Sequence, residues 1–128
     1  MPSPNRATTL LGSFRCAMTG LVHVFATERN ARIHGVIAIV VVCMAATLGC
    51  SRIEFAIVTL TMGFVLVAEI ANTAAETIVD LVSPEYHDLA RIAKDVAAGG
   101  VLLAAFTSII VGLIIMGPPL WALIGRTI

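Results

Sequence analysis

The chain has 128 residues, of which 59% are hydrophobic and 12% are charged, and its mean hydropathy is +0.99. Soluble domains carry about 25% charged residues, so a soluble fold of this size cannot bury so much apolar surface, whereas a bilayer can. The composition therefore predicts a single-domain integral membrane protein. Eight Lys and Arg balance eight Asp and Glu, and no basic patch with interleaved aromatic residues occurs, so nucleic acid is not expected as a partner.

The N-terminal part of the chain is mixed in character. Residues 1–9 are polar and contain two prolines, which predicts a flexible N-terminus. Residues 10–28 predict a helix, because apolar side chains recur on one helical face: Phe14, Met18, Leu21, Val22 and Phe25. Two glycines and Arg15 weaken its hydrophobicity, so this amphipathic helix is expected to lie in the membrane interface. An ordinary amphipathic helix packed on the bundle is a compatible alternative.

Three more hydrophobic segments follow, and each is expected to cross the membrane. A polar hinge over residues 28–32 leads into the first span, residues 33–50. Its 18 residues are within the range that a hydrocarbon core requires. Residues 51–54 are then predicted to form a short polar turn.

The second span is predicted over residues 55–82. Its first fourteen residues are apolar but too few to cross unaided, so the helix must continue past Glu69. It is expected to stop at Ser83, because the residue before a proline disfavours the helical conformation. Ser83 also qualifies as the cap of a following helix with Pro84 in its first position.

The third span is predicted over residues 96–117, which contain no charge, and Pro118 is expected to end it. The membrane domain is therefore placed at residues 10–120. A C-terminal tail, residues 121–128, follows and carries two candidate interfacial anchors, Trp121 and Arg126. The predicted fold class is an all-α membrane protein with one amphipathic surface helix and three transmembrane helices.

The basic residues predict the orientation of the spans. Six of them lie before the first span or between the second and third: Arg6, Arg15, Arg29, Arg32, Arg91 and Lys94. The opposite side carries two, Arg52 and Arg126. By the positive-inside rule, the N-terminus and the polar segment over residues 85–95 are cytoplasmic.

One helical stripe carries most of the polar chemistry. Its residues are spaced by 3, 4 and 4 positions and fall within about 80° of one helix face: Glu69, Asn72, Glu76 and Asp80. Each carboxylate at membrane depth costs about 2.5–3.5 kcal/mol on insertion scales. No cation shares the stripe, so a divalent ion is a simple partner, and hard oxygen ligands suit magnesium. The alternative is a solvated face where the helix leaves the bilayer, an interpretation that fits Asp80 best.

A second polar group lies at the cytoplasmic edge of the third span. Lys94 can pair with a phosphate as a point charge, although membrane-flanking charge is the alternative for both Lys94 and Asp95. Glu28 lies at the membrane surface and can join Glu76 around a metal. The sequence has no Walker-type glycine loop and no protein-kinase signature, so an ATP site would be of another type. The cluster fits magnesium-nucleotide chemistry on a lipid that is already in the bilayer.

Three motifs in register carry a resemblance to a known family. Residues 69–76 read E-I-A-N-T-A-A-E and are followed by I-V-D at residues 78–80. Residues 84–95 end in A-K-D, and residues 28–34 read E-R-N-A-R-I-H. Over about residues 12–117, the chain resembles the bacterial family of diacylglycerol and undecaprenol kinases.

The resemblance implies an ATP- and magnesium-dependent kinase of a membrane lipid alcohol. It implies a homotrimeric bundle in the bacterial inner membrane, with active sites at subunit boundaries. Glu69 would be the general base, and Glu28 and Glu76 would bind magnesium. Nucleotide contacts would come from those two carboxylates and from Glu85, Tyr86, His87, Lys94 and Asp95. Asn72 and Asp80 would support the site, and Ala98 would lie near the lipid.

Two positions bear on the choice of lipid. Cys16 stands where the diacylglycerol-kinase branch often has tyrosine, and Ala98 stands where that branch has serine. The segment over residues 28–34 looks closer to the undecaprenol branch. The resemblance therefore favours undecaprenol over diacylglycerol as the substrate.

Two other functions remain open on the residues alone. A small proton-coupled transporter would use Glu69 as its membrane carboxylate, since carboxylates in spans mark proton relays. A non-catalytic membrane subunit would use the small-residue face of the third span for helix contacts: Gly99, Gly100, Ala104, Ala105 and Ser108.

Overall fold

The computed structural model describes residues 9–125 and consists of four α-helices. They are α1 (Leu10–Thr27), α2 (Arg29–Thr47), α3 (Arg52–Val82) and α4 (Asp88–Gly125). The predicted all-α class is confirmed. By length and composition, every one of the four is apolar enough to cross a membrane. The interfacial placement of α1 therefore stays a prediction, and Arg126 lies outside the described residues.

A single extended residue separates α1 from α2. Thr9 caps α1, its hydroxyl accepting a hydrogen bond from the Gly12 amide at 3.1 Å. Glu28 has φ −91° and ψ 116°, and α2 begins at the next residue. The predicted polar hinge over residues 28–32 is wrong beyond Glu28, because Arg29, Ala31 and Arg32 favour helix.

A glycine turn connects α2 to α3. Gly49 has φ +72°, a left-handed conformation that glycine adopts without steric cost. The Ser51 hydroxyl accepts from the Glu54 amide at 3.3 Å, and the Glu54 carboxylate accepts from the Ser51 amide at 2.8 Å. This capping box starts α3 at Arg52, so the turn predicted over residues 51–54 is instead the first helical turn.

The connection from α3 to α4 is short and polar. As expected, α3 ends at Val82, but Pro84 does not open a helix, since α4 begins only at Asp88. The expected end of the last helix at Pro118 is wrong, because α4 continues through both prolines to Gly125. Proline removes a helix hydrogen bond but keeps a helical φ. Packing on both sides, by the buried Met116 and the partly buried Leu120, holds this segment against the core.

The helices pack around α3, which contacts α4 and α2 most extensively, while α1 touches α2 and α3. The buried core cluster consists of Ala38, Ala45, Val58, Met62 and Met116. Its alanines let α2 approach α3 closely. Large apolar side chains such as Leu60, Phe64 and Leu103 are exposed, as expected of surfaces that face lipid.

The two longest helices meet at one end of the bundle, and each is longer than the hydrocarbon core of a bilayer is thick. The 31 residues of α3 extend about 46 Å and the 38 residues of α4 about 57 Å, against a hydrocarbon core of about 30 Å. Residues 83–87 join them there. The same end also receives the start of α2, because α2 and α3 are joined at the opposite end by the short turn over residues 48–51. Polar residues from three helices are therefore gathered near one end of the bundle.

Candidate active site

Glu69 is the buried carboxylate of the bundle. It lies 17 residues after Arg52, about 26 Å along α3 from the start of that helix. The residue is 3% exposed. Its Oε1 lies 2.6 Å from Nδ1 of His34, which α2 presents five residues after its start. The structure thus pairs the predicted base with a histidine at the same depth.

The other carboxylate oxygen of Glu69 is left open. Within residues 9–125, Oε2 accepts no hydrogen bond, and it is not among the fully buried side-chain atoms that lack a partner. Glu69 lines a cleft of about 330 Å³, so Oε2 is accessible from that space.

Three helices form this cleft. Asn30 and His34 come from α2, and Glu69 and Asn72 come from α3. The wall contributed by α4 is apolar: Ala98, Val101, Leu102 and Ala105. Ala98, predicted to lie near the lipid, therefore shares a cleft with the predicted base. A hydroxyl entering between the helices would meet the carboxylate on one side and hydrocarbon on the other.

A second, smaller cavity lies beside this cleft. Its volume is about 110 Å³, and it shares His34 and Ala105 with the larger cleft. The remaining lining lies deeper in the bundle: Ile37, Met62, Val65, Ser108 and Ile109. A largely apolar space that suits part of a hydrocarbon chain therefore lies next to the cleft that Glu69 lines.

Asn72 and Glu76 lie one and two turns further along α3. The Asn72 side-chain amide donates to Glu76 Oε1 at 2.8 Å. The Asn72 carbonyl oxygen is buried and has no partner among the described residues. An unsatisfied buried acceptor costs about 1–3 kcal/mol, which marks a place where a donor or a cation fits. The hydroxyl of Thr73, on the buried side of the helix, donates a hydrogen bond to the backbone carbonyl oxygen of Glu69.

Asp80 and Lys94 connect α3 to α4 near the loop over residues 83–87. Lys94 Nζ donates to Asp80 Oδ1 at 2.5 Å across the connecting loop. The Asp80 side chain is 67% exposed, so the pair contributes at most about 1 kcal/mol to stability. Its consequence is positional, because it fixes the ammonium group beside the loop.

The loop and the start of α4 form a polar cleft of about 280 Å³. Four residues predicted to contact nucleotide line it together: Glu85, Tyr86, His87 and Lys94. Asp80 and Arg91 line it as well, and the sequence analysis had not assigned Arg91. Asp95 is not in the lining and pairs with Arg91 at 2.9 Å. Arg91 adds a second cation, which favours an anionic ligand.

Loop side chains are held by local hydrogen bonds. The Tyr86 hydroxyl donates to the Asp88 carboxylate at 2.9 Å, and the Leu89 amide donates to His87 Nδ1 at 3.1 Å. The second contact satisfies one free amide at the start of α4. Tyr86 is 80% exposed, so its ring is available to a ligand.

The predicted magnesium ligands lie on different elements. Glu28 is half-buried at the junction of α1 and α2, and Glu76 is half-buried on α3. Within residues 9–125, no group of three or more His, Cys, Asp or Glu side chains is arranged to hold a metal. Magnesium needs only one or two protein carboxylates when phosphates supply the other ligands, so this oxygen-only donor set fits the ion. The Glu28–Glu76 site stays a prediction.

His34 is the site residue that the sequence analysis did not assign. In the sequence it stands out only as the last residue of the motif over residues 28–34. An ionisable residue inside an apolar run is itself a signal of function. The pairing with Glu69, 35 positions away, depends on how α2 packs on α3.

Comparisons with known proteins agree with the motifs. The family model of prokaryotic diacylglycerol kinase matches residues 15–116. A diacylglycerol kinase of Synechocystis is 48% identical over 118 residues, covering 91% of this chain and 67% of the relative. An undecaprenol kinase of Bacillus subtilis is 38% identical over 116 residues, covering 91% of this chain and 94% of the relative. A diacylglycerol kinase of Escherichia coli K12 is 31% identical over 97 residues, with 76% and 80% covered.

Proposed function

Because this chain belongs to the prokaryotic diacylglycerol kinase family, a family of membrane lipid kinases, we propose that it transfers the γ-phosphate of ATP to a lipid alcohol in the bilayer. The observation that carries the proposal is the buried Glu69 carboxylate, which lines a cleft between three helices. A lipid hydroxyl held at the interface can reach this cleft without leaving the bilayer.

Glu69 acts as the general base in this proposal. Its free Oε2 takes the proton of the lipid hydroxyl, the lipid oxygen forms a bond to the γ-phosphorus, and the bond from that phosphorus to the ADP oxygen breaks. The products are the lipid phosphate and ADP, and the proton on Glu69 then leaves to water. Phosphoryl transfer depends on positioning and on neutralising charge more than on covalent catalysis, so one base and well-placed cations suffice.

The nucleotide lies on the other side of the base, in the cleft formed by the α3–α4 loop. Lys94 and Arg91 offer positive charge to the phosphates of the nucleotide, and Tyr86 and His87 offer aromatic rings to its nucleobase. Glu28, Glu76 and the unpartnered Asn72 oxygen are the proposed ligands for magnesium. When bound, magnesium neutralises charge on the transferred phosphate. Glu85, Asp80 and Asp95 complete the polar rim around the nucleotide.

The proposed lipid is undecaprenol in preference to diacylglycerol. Relatives carry both names, so the similarity does not decide between them. Support comes from Ala98, which lines the cleft and offers no hydroxyl to the ester groups of a diacylglycerol. The largely apolar cavity beside His34, of about 110 Å³, has room for part of one hydrocarbon chain.

The proposed assembly is a homotrimer in the bacterial inner membrane, with α2, α3 and α4 as the spans and α1 at the cytoplasmic interface. Nearly all of α1 is exposed, with Val24 its one buried residue among those described. An extended residue at Glu28 lets the chain change direction between α1 and α2. In this arrangement Glu28 lies at the membrane surface, where a neighbouring subunit can complete the magnesium site.

The experiment is transfer of labelled phosphate from ATP to lipid by purified protein in mixed micelles with magnesium. The lipid-kinase proposal requires a labelled lipid phosphate that forms only when a lipid alcohol is added. ATP hydrolysis that is independent of lipid, from folded protein, would contradict it.

A further inference from the structure

His34 is placed to control the Glu69 carboxylate. Among residues 9–125 it supplies the one hydrogen bond that this carboxylate receives from a side chain. A carboxylate only accepts hydrogen bonds, so with Glu69 ionised, as a base must be, His34 Nδ1–H donates to Oε1. A neutral imidazole then keeps Nε2 as an acceptor on its other side.

We propose that His34 is a positioning residue for the general base: it holds Oε1 so that Oε2 points into the cleft. This inference rests on the proposed function of Glu69. The glutamate side chain has three rotatable bonds, and the single bond at 2.6 Å from a different helix limits them. Because α2 carries the donor and α3 the acceptor, the packing of two helices sets the angle of the base.

Among residues 9–125, no other side chain donates a hydrogen bond to the Glu69 carboxylate. The wall contributed by α4 consists of aliphatic side chains and offers no donor: Ala98, Val101, Leu102 and Ala105. Of the two amide side chains in the lining, Asn72 donates to Glu76, and Asn30 makes no hydrogen bond to Glu69. Without His34 the carboxylate loses this donor, and no hydrogen bond then distinguishes Oε1 from Oε2.

A purely structural role for His34 fits the packing less well. The residue does not belong to the core cluster, and its side chain is 23% exposed. It lies between two cavities, of about 330 and 110 Å³, rather than among tightly packed atoms. Replacing it therefore changes the lining of existing spaces and leaves the contacts between α2 and α3 at Ala38, Ala45 and Val58 in place.

Two substitutions separate positioning from packing. His34→Leu keeps an apolar body but has no donor, whereas His34→Asn puts its amide N–H where Nδ1–H stands. We expect kcat to fall about 10- to 100-fold in His34→Leu, the loss typical of a catalytic group displaced by about 1 Å. We expect kcat of His34→Asn to be close to the wild-type value. In both variants KM for lipid and for ATP should change less than about threefold, because the contacts to the two ligands stay intact.

The second measurement places His34→Leu in a Glu69→Gln background. If His34 acts only through the carboxylate, the His34→Leu substitution lowers the residual rate of Glu69→Gln by less than about twofold. The reason is that the effects of two residues that act together are not additive. An equal loss in both backgrounds, equal activity of His34→Leu and wild type, or an inactive but folded His34→Asn would each overturn the inference. Wild-type protein that transfers no phosphate to lipid would instead refute the proposed function.

Discussion

Substitution of Glu69 by Gln is the sharpest perturbation of the proposed mechanism. Glutamine keeps the size of the side chain and an oxygen that can accept from His34, but it cannot take a proton. General base catalysis contributes about 10²- to 10⁴-fold to a rate. At about 1.36 kcal/mol per tenfold change, the expected loss is about 2.7–5.5 kcal/mol of transition-state stabilisation. This loss should appear in kcat, with KM for ATP unchanged.

The Glu69→Asp substitution gives an independent estimate of how much the Glu69 carboxylate contributes to kcat. Aspartate is ionised but shorter by one methylene, which withdraws both oxygens from the cleft and breaks the 2.6 Å contact with His34. A displacement of about 1 Å costs on the order of 100-fold in rate, so Glu69→Asp should fall between wild type and Glu69→Gln.

The assay is initial-rate transfer of labelled phosphate to lipid, with ATP and lipid varied separately. The matched control is Glu54→Gln, on the same helix but at its opposite end, where glutamine can still form the capping box. Glu54→Gln should keep full activity. Folded Glu69→Gln protein with more than about a tenth of wild-type kcat would refute the assignment of Glu69 as the base.

Two further substitutions test the lipid and nucleotide sides separately. Ala105→Leu narrows both the cleft and the deeper cavity, so KM for lipid should rise several-fold while KM for ATP is unchanged. The control is Ala122→Leu, at an exposed position of α4, which should match wild type in titrations of both substrates. An unchanged lipid KM in Ala105→Leu would show that the tail does not pass this point. Asp80→Asn frees Lys94 from its partner, so KM for ATP should change while lipid KM stays constant, and the free energy of unfolding should drop by less than about 1 kcal/mol. A change in lipid KM alone would contradict this placement.

The sequence predicted the elements and the polar stripe well because both depend on local patterns. The all-α class, the end of α3 at Val82 and the α3 face that carries Glu69, Asn72 and Glu76 all follow from spacing and from proline chemistry. Local propensity misled at Pro118, where packing of the flanking residues on the core outweighs a missing hydrogen bond.

The hydrogen-bond partners of the site residues could not be predicted from the sequence. The pairing of His34 with Glu69 requires the rotation of α2 about its axis and its register against α3, which no local pattern specifies. Lys94 similarly turns to Asp80 across a loop, although the sequence suggested a free cation for phosphate. Asn72 was predicted only as a supporting residue, and its buried, unpartnered oxygen became visible when the helices were assembled.

The most direct test of the central claim is the competition of two lipid alcohols for labelled phosphate from ATP and magnesium. Purified protein in mixed micelles would receive undecaprenol and diacylglycerol together, with wild type and Glu69→Gln run side by side. The account predicts labelled lipid phosphate from wild type, with undecaprenol preferred, and a loss of about 100-fold or more in Glu69→Gln. Preference for diacylglycerol would overturn the choice of lipid, and no transfer to either lipid by folded protein would contradict the kinase mechanism itself.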